Sequence, residues 1–235
     1  MTLDRRMAGV GVGLLVFALS ASCDQLPGKP DEAARWRPPT EVVDFNRLYA
    51  ENCSGCHGAD GRLGAARPIN DPLYLALVND DALRQVIAQG VSRTAMPAFA
   101  QQQGGNLTEE QIKVLVQGIR SRWARSEQFS AVTFPAYGAG KDSKSTEASR
   151  GLSVYKTYCA QCHDTDARSR PKGGYILDPN YLALVSDQSL RTTVIVGRSD
   201  LGKPDWRNNV PGQPMSAQEI SDVVAWIASQ RSEKR

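Results

Sequence analysis

The stretch DPLYLALVNDDALRQVIAQG, residues 71–90, returns as DPNYLALVSDQSLRTTVIVG, residues 178–197, without a gap and with eleven of twenty positions identical. Reading outward, each copy ends in an amphipathic segment with a helix start signal. Thr108-x-x-Gln111 opens TEEQIKVLVQGIRSRW, and Ser216-x-x-Glu219 opens SAQEISDVVAWIASQR; both are capping boxes, in which side chain and backbone satisfy each other's orphan groups. Upstream, VDFNRLYAENC and SRGLSVYKTYC carry short helical patterns, with Tyr49 and Tyr155 each four residues before a cysteine. A single repeat of this length marks duplication of a domain rather than a solenoid. The expectation is an all-α chain made of two copies of one small helical domain, residues 42–126 and 147–235. Residues 127–146 join them, through the Gly/Ser/Lys-rich PAYGAGKDSKSTEAS, residues 135–149, which reads as a linker.

Five cysteines and two histidines are the whole supply. Four of the cysteines and both histidines lie in CSGCH (Cys53, Cys56, His57) and CAQCH (Cys159, Cys162, His163). C-x-x-C-H is the attachment motif of c-type haem: two thioethers hold the porphyrin and the histidine takes one axial position on the iron. Two copies, with only Cys23 left over, predict two covalently bound haem c groups. The census also excludes alternatives. No third histidine exists to make either iron bis-histidine, the spacing is wrong for a zinc finger, and no spare thiols remain for a disulfide framework.

With a helix running into CxxCH, middle helices, a methionine-bearing loop and a closing helix, each half resembles a class I cytochrome c domain. The resemblance leaves only the N-terminal segment and the joining segment outside. It implies an all-α fold wrapped around haem. In that family a small residue on the first helix packs against an aromatic on the last, as Gly151 and Trp226 would here. Aligning the halves puts Phe45 at the Gly151 position and Gly118 at the Trp226 position. Large and small have traded places, which roughly conserves volume and predicts a Phe45–Gly118 contact.

The sixth ligands differ between halves. TAMPAF places Met96 39 residues after His57 and before a proline, like the ligand loop of the family; a thioether there raises the potential. In the second half, the stretch LGKPDWRNNVPGQPM, residues 201–215, offers both Lys203 and Met215. Extending the repeat lays Lys203 over Met96, Pro204 over Pro97 and Trp206 over Phe99. Met215 then aligns with Leu107, where an apolar residue before the cap staples onto the helix, in the pairs Leu107–Ile112 and Met215–Ile220. Against this, Lys203 ligates only as the neutral amine, and Met215 is the one soft sulfur ligand of its half. Lys203, Met215 and an open iron all stay in view.

Residues 1–22 read as an export signal: MTLDRR carries positive charge, and an apolar run too short to span a bilayer ends in LSASC. That ending resembles a bacterial lipobox, with Cys23 as the lipidated residue, although Leu19 sits one place too far upstream. An uncleaved anchor is the other reading. Residues 23–41, with Pro27, Pro30, Pro38 and Pro39, read as an extended spacer. Both readings put the body on the periplasmic side of a bacterial membrane. A net charge of +3 with mixed signs gives no nucleic-acid footprint.

What the resemblance implies is electron transfer without catalytic residues. The chain is expected to relay single electrons between redox protein partners in a respiratory or photosynthetic chain. It would serve as a subunit of, or donor or acceptor to, a quinol-oxidising complex, a terminal oxidase or another cytochrome. The rivals are a dihaem redox enzyme, of peroxidase or sulfur-compound-oxidising type, and the cytochrome subunit of a dehydrogenase. The census leaves no histidine for distal acid–base work and no cysteine for a thiolate ligand.

Overall fold

The computed structural model describes residues 36–138, 148–164 and 172–231. The signal segment, Cys23, most of the spacer and the middle of the joining segment lie outside the described residues. Val42–Arg235 make one compact unit, and of the unit before it only residues 36–41 are described.

Among the described residues the regular structure is helical, with two isolated bridges and no strand. The first half comprises α1 (Phe45–Asn52), α2 (Ser54–His57), α3 (Pro72–Leu77), α4 (Asp80–Gln89) and α5 (Glu109–Trp123). The second comprises α6 (Ala148–Tyr158), α7 (Ala160–His163), α8 (Pro179–Ala183), α9 (Asp187–Val196) and α10 (Ala217–Ser229). The repeat is explicit in the caps. Asp71 accepts from the backbone of Leu73 and Tyr74, and Asp178 from Asn180 and Tyr181, each with proline opening the helix. Both expected capping boxes form, at Thr108/Gln111 and at Ser216/Glu219. The staple residues Leu107, Ile112, Met215 and Ile220 are all buried.

First and last helices cross in each half, and the crossings use opposite partners. A Cβ built on Gly118 would stand 2.0 Å from Cδ2 of Phe45, so the ring lies directly on the α5 backbone. On Gly151 it would stand 2.1 Å from the Asp222 carbonyl oxygen and 2.4 Å from Cβ of Trp226. The Trp226 ring packs on Tyr155 at 4.6 Å between centroids. In the first half Trp123, nearer the end of α5, takes that role on Tyr49 at 5.2 Å.

The halves also meet. α3 packs on α9, the Arg67 guanidinium donates to Thr193 Oγ1 at 2.6 Å, and Ser199 donates to Asp71 at 3.3 Å. The chain leaving α5 straps the second half. Phe134 lies 5.6 Å from the Trp206 ring, and the fully buried Arg191 donates twice to the Ala136 carbonyl, at 2.8 and 3.0 Å, and once to Ser221 Oγ. Residues 132–138, within the segment read as a joiner, are thus bolted to α9.

Candidate functional site

Each CxxCH motif occupies one short helix immediately after the first long one. α1 stops at Asn52, Cys53 serves as the N-cap of α2, and one turn later Cys56 and His57 follow on that helix. Cys159, Cys162 and His163 repeat the arrangement on α7, with Cys159 at φ −119°, the same as Cys53. Residues three apart on a helix share a face, so each cysteine pair is presented together. The outer thiols Cys56 and Cys162 are exposed, and Cys53 and Cys159 are half-buried. Burial pushes the Cys53 thiol up to about 11 and the Cys159 thiol to about 12, with the neighbouring cysteine adding to both.

The turn that ends each motif is held from outside. Tyr49 Oη donates to the Gly58 carbonyl at 2.8 Å, and Tyr155 Oη to the Asp164 carbonyl at 2.6 Å. Both turn residues have positive φ, 79° and 53°. At Gly58 a side chain would drive its Cβ to 1.8 Å from the Arg62 carbonyl oxygen, so only glycine fits.

The imidazoles are fixed alike. His57 Nδ1 lies 2.9 Å from the Arg67 carbonyl oxygen, and His163 Nδ1 lies 2.9 Å from that of Gly174. A carbonyl can only accept, so Nδ1 carries the proton and Nε2 keeps its lone pair for a metal. Burial holds both rings below the ordinary histidine range, toward the neutral form that ligates. Two thiols and a free imidazole nitrogen per half are the donor set that a covalent haem requires, and the residues fit it.

The two candidate-ligand loops match in their hydrogen bonding. Val91 N donates to the Met96 carbonyl and Arg198 N to the Lys203 carbonyl, both at 3.1 Å. Gly90, φ 68°, presses on Met96 and Pro97; Gly197, φ 73°, presses on Lys203 and Pro204. Met96 and Lys203 therefore hold equivalent backbone positions, and both are half-buried. Met215 lies elsewhere, 3% exposed like Leu107, its sulfur 3.8 Å from Asn209 Nδ2. A crevice of about 630 Å³ opens between the halves, but its lining includes neither histidine.

Sequence reasoning missed three parts of this frame. The carbonyl partners of the histidines, the role of Arg67 in joining the His57 surround to α9, and Trp123 as the partner of Tyr49 all come from tertiary contacts. Tyr49 and Tyr155 were visible only as a repeated spacing.

A helical domain that presents two thiols and an oriented imidazole on one short helix, duplicated in one chain, defines a tandem of c-type haem domains. Family comparisons carry the identification further. Residues 41–117 match the family of cytochrome c oxidase, cbb3-type, subunit III, and residues 148–231 match the cytochrome c family. The chain is thus built of two cytochrome c domains, which are electron-transfer domains carrying covalent haem c, as a dihaem cytochrome c has. Over 126 residues it is 32% identical to the dihydro-heme d1 dehydrogenase of Pseudomonas aeruginosa, covering 54% of this chain and 21% of that protein. The match thus spans about a fifth of that relative's length. It also shares its fold with a chain of the Kuenenia stuttgartiensis reducing HAO-like protein complex, at TM-score 0.50 and 18% identity over 84% of this chain and 100% of that one.

Proposed function

We propose that this chain is a dihaem electron relay, working one electron at a time between redox protein partners on the outer side of a bacterial membrane. The observation that carries the reading is the duplicated donor set, in which each CxxCH histidine is pinned through Nδ1 to a backbone carbonyl. Cys53 and Cys56 would hold the first haem by thioethers, with His57 and Met96 as axial ligands. Cys159, Cys162 and His163 would hold the second, with a sixth ligand from residues 201–215. Haem iron supplies the exchange of one electron between ferric and ferrous states. The chain's part is to orient each imidazole, to hold the turn after each motif through Tyr49 and Tyr155, and to fix the two centres in one body. The packing of α3 on α9, with the Arg67–Thr193 bond, supports a fixed spacing.

Export and tethering through Cys23, or through an uncleaved anchor, follow from the N-terminal sequence. The match to a cbb3-type oxidase subunit supports a partner of the quinol-oxidising or terminal-oxidase kind. A second reading, donor or acceptor to a larger dehydrogenase, is favoured by the likeness to the dihydro-heme d1 dehydrogenase.

Rapid mixing separates relay from enzyme. Reduced, haem-loaded protein should pass its electrons to a small one-electron oxidant in single-electron steps and leave hydrogen peroxide untouched beyond a denatured control. Fast, saturable peroxide turnover would overturn the relay in favour of a haem enzyme.

A further inference from the structure

Deepening the two-haem reading on which it rests, we infer that Lys203, through its side-chain amine, is the sixth ligand of the second iron. Three observations converge on it. The loop carrying Lys203 is hydrogen-bonded as the Met96 loop is, from Arg198 N to the Lys203 carbonyl as from Val91 N to the Met96 carbonyl, with Gly197 packed behind it as Gly90 is behind Met96. The side chain is turned toward the proximal histidine. A Cβ built on Gly173 would lie 2.7 Å from Lys203 Nζ and also 2.7 Å from Cε1 and Nδ1 of His163, so the amine approaches the Nδ1–Cε1 edge of the imidazole, the edge next to the Nε2 that ligates. Glycine at 173 keeps that approach open, since any side chain would fill it.

The competing sulfur is committed elsewhere. Met215 is 3% exposed, its backbone N–H donates to the Trp206 carbonyl at 2.9 Å, and it directly precedes the Ser216 cap of α10. To reach the iron it would have to leave the core position that Leu107 fills in the first half, emptying a buried site. Ligation uses the nitrogen lone pair, so the ammonium gives its proton to solvent as the bond forms. A hard amine in place of a thioether stabilises ferric iron, so the second haem is the lower-potential one.

Near-infrared magnetic circular dichroism of the oxidised, haem-loaded full chain tests this, with haem counted beforehand by pyridine haemochrome. Wild type should show one methionine–iron charge-transfer band, from the first haem. Met215→Leu should leave it unchanged, and Lys203→Met should double its intensity. Two methionine bands in wild type, one of them lost in Met215→Leu, would overturn the inference. So would a high-spin second haem that Lys203→Ala does not alter. A chain that binds a single haem would be recognised by the count, and would fail the two-haem reading and this inference together.

Discussion

Replacing Gly118 by alanine should strain the crossing of α1 and α5. The new Cβ would lie 2.0 Å from Cδ2 and 2.3 Å from Cγ of Phe45, whereas carbon contacts are comfortable near ~3.5 Å. The ring must retreat by more than ~1 Å or the helices must part. Overpacking of this kind costs about 1–3 kcal/mol, while alanine in a helix interior is better than glycine by about 1 kcal/mol. Phe45 is only half-buried, so its ring can swing outward, and the net loss should fall near ~1 kcal/mol. At Gly151 the same change meets the Asp222 carbonyl and the root of Trp226, neither of which can rotate away, so the loss should be ~2 kcal/mol or more. Phe45→Ala removes the obstacle. In that background Gly118→Ala should become stabilising by about 1 kcal/mol, the helix-propensity gain alone. Guanidinium denaturation of the haem-loaded variants, followed by far-ultraviolet circular dichroism, gives the double-mutant cycle. A Gly118→Ala variant as stabilised in wild type as in Phe45→Ala would refute the crossing.

Four further outcomes follow from the same structure. Arg191→Met removes buried donors to Ala136 and Ser221; it should destabilise by about 3 kcal/mol and raise hydrogen exchange across residues 132–138. Arg84→Met, at the same place in the repeat but exposed, should change stability by no more than ~0.5 kcal/mol. Gly90→Ala forces a side chain onto a φ of 68° and against Met96 and Pro97, and should weaken or abolish the methionine–iron band of the first haem. Finally, the Arg198 guanidinium hydrogen-bonded to Asp200 holds that carboxyl below the usual range. A depressed folded value gives stability that is present above the unfolded pKa of ~3.9 and lost as pH falls through the folded one. Asp200→Asn should therefore flatten the acid limb of the stability curve, by at most ~1 kcal/mol for so shallow a pair.

Much of this frame was legible because it is written in local chemistry. The capping boxes, the CxxCH helices and the equivalence of Met96 with Lys203 depend on residues close in sequence, and the repeat shows each of them twice. The exchange of Phe45/Gly118 for Gly151/Trp226 was legible as a conserved volume. What stayed hidden was long-range and made by anonymous backbone. Arg84 and Arg191 are the same residue in the same register, yet one faces solvent beside Glu109 and the other is buried under the strap from Ala136. Their in-repeat partners differ, Glu109 against Ala217 and Lys113 against Ser221, but the strap that buries Arg191 comes from a segment outside the repeat. The carbonyls of Arg67 and Gly174 were likewise invisible as partners of His57 and His163, since any residue could supply them. Trp123 replaces Trp226 from a different turn of its helix, so an alignment by position could not pair the two.

The claim that two one-electron centres share one chain is tested most directly by a spectropotentiometric titration of the haem-loaded protein. The structure predicts two electrons taken up per chain in two separate one-electron steps. The upper step belongs to the His57/Met96 haem and should persist in Lys203→Met, while the lower one rises. A single electron per chain, or one concerted two-electron step, would contradict the account.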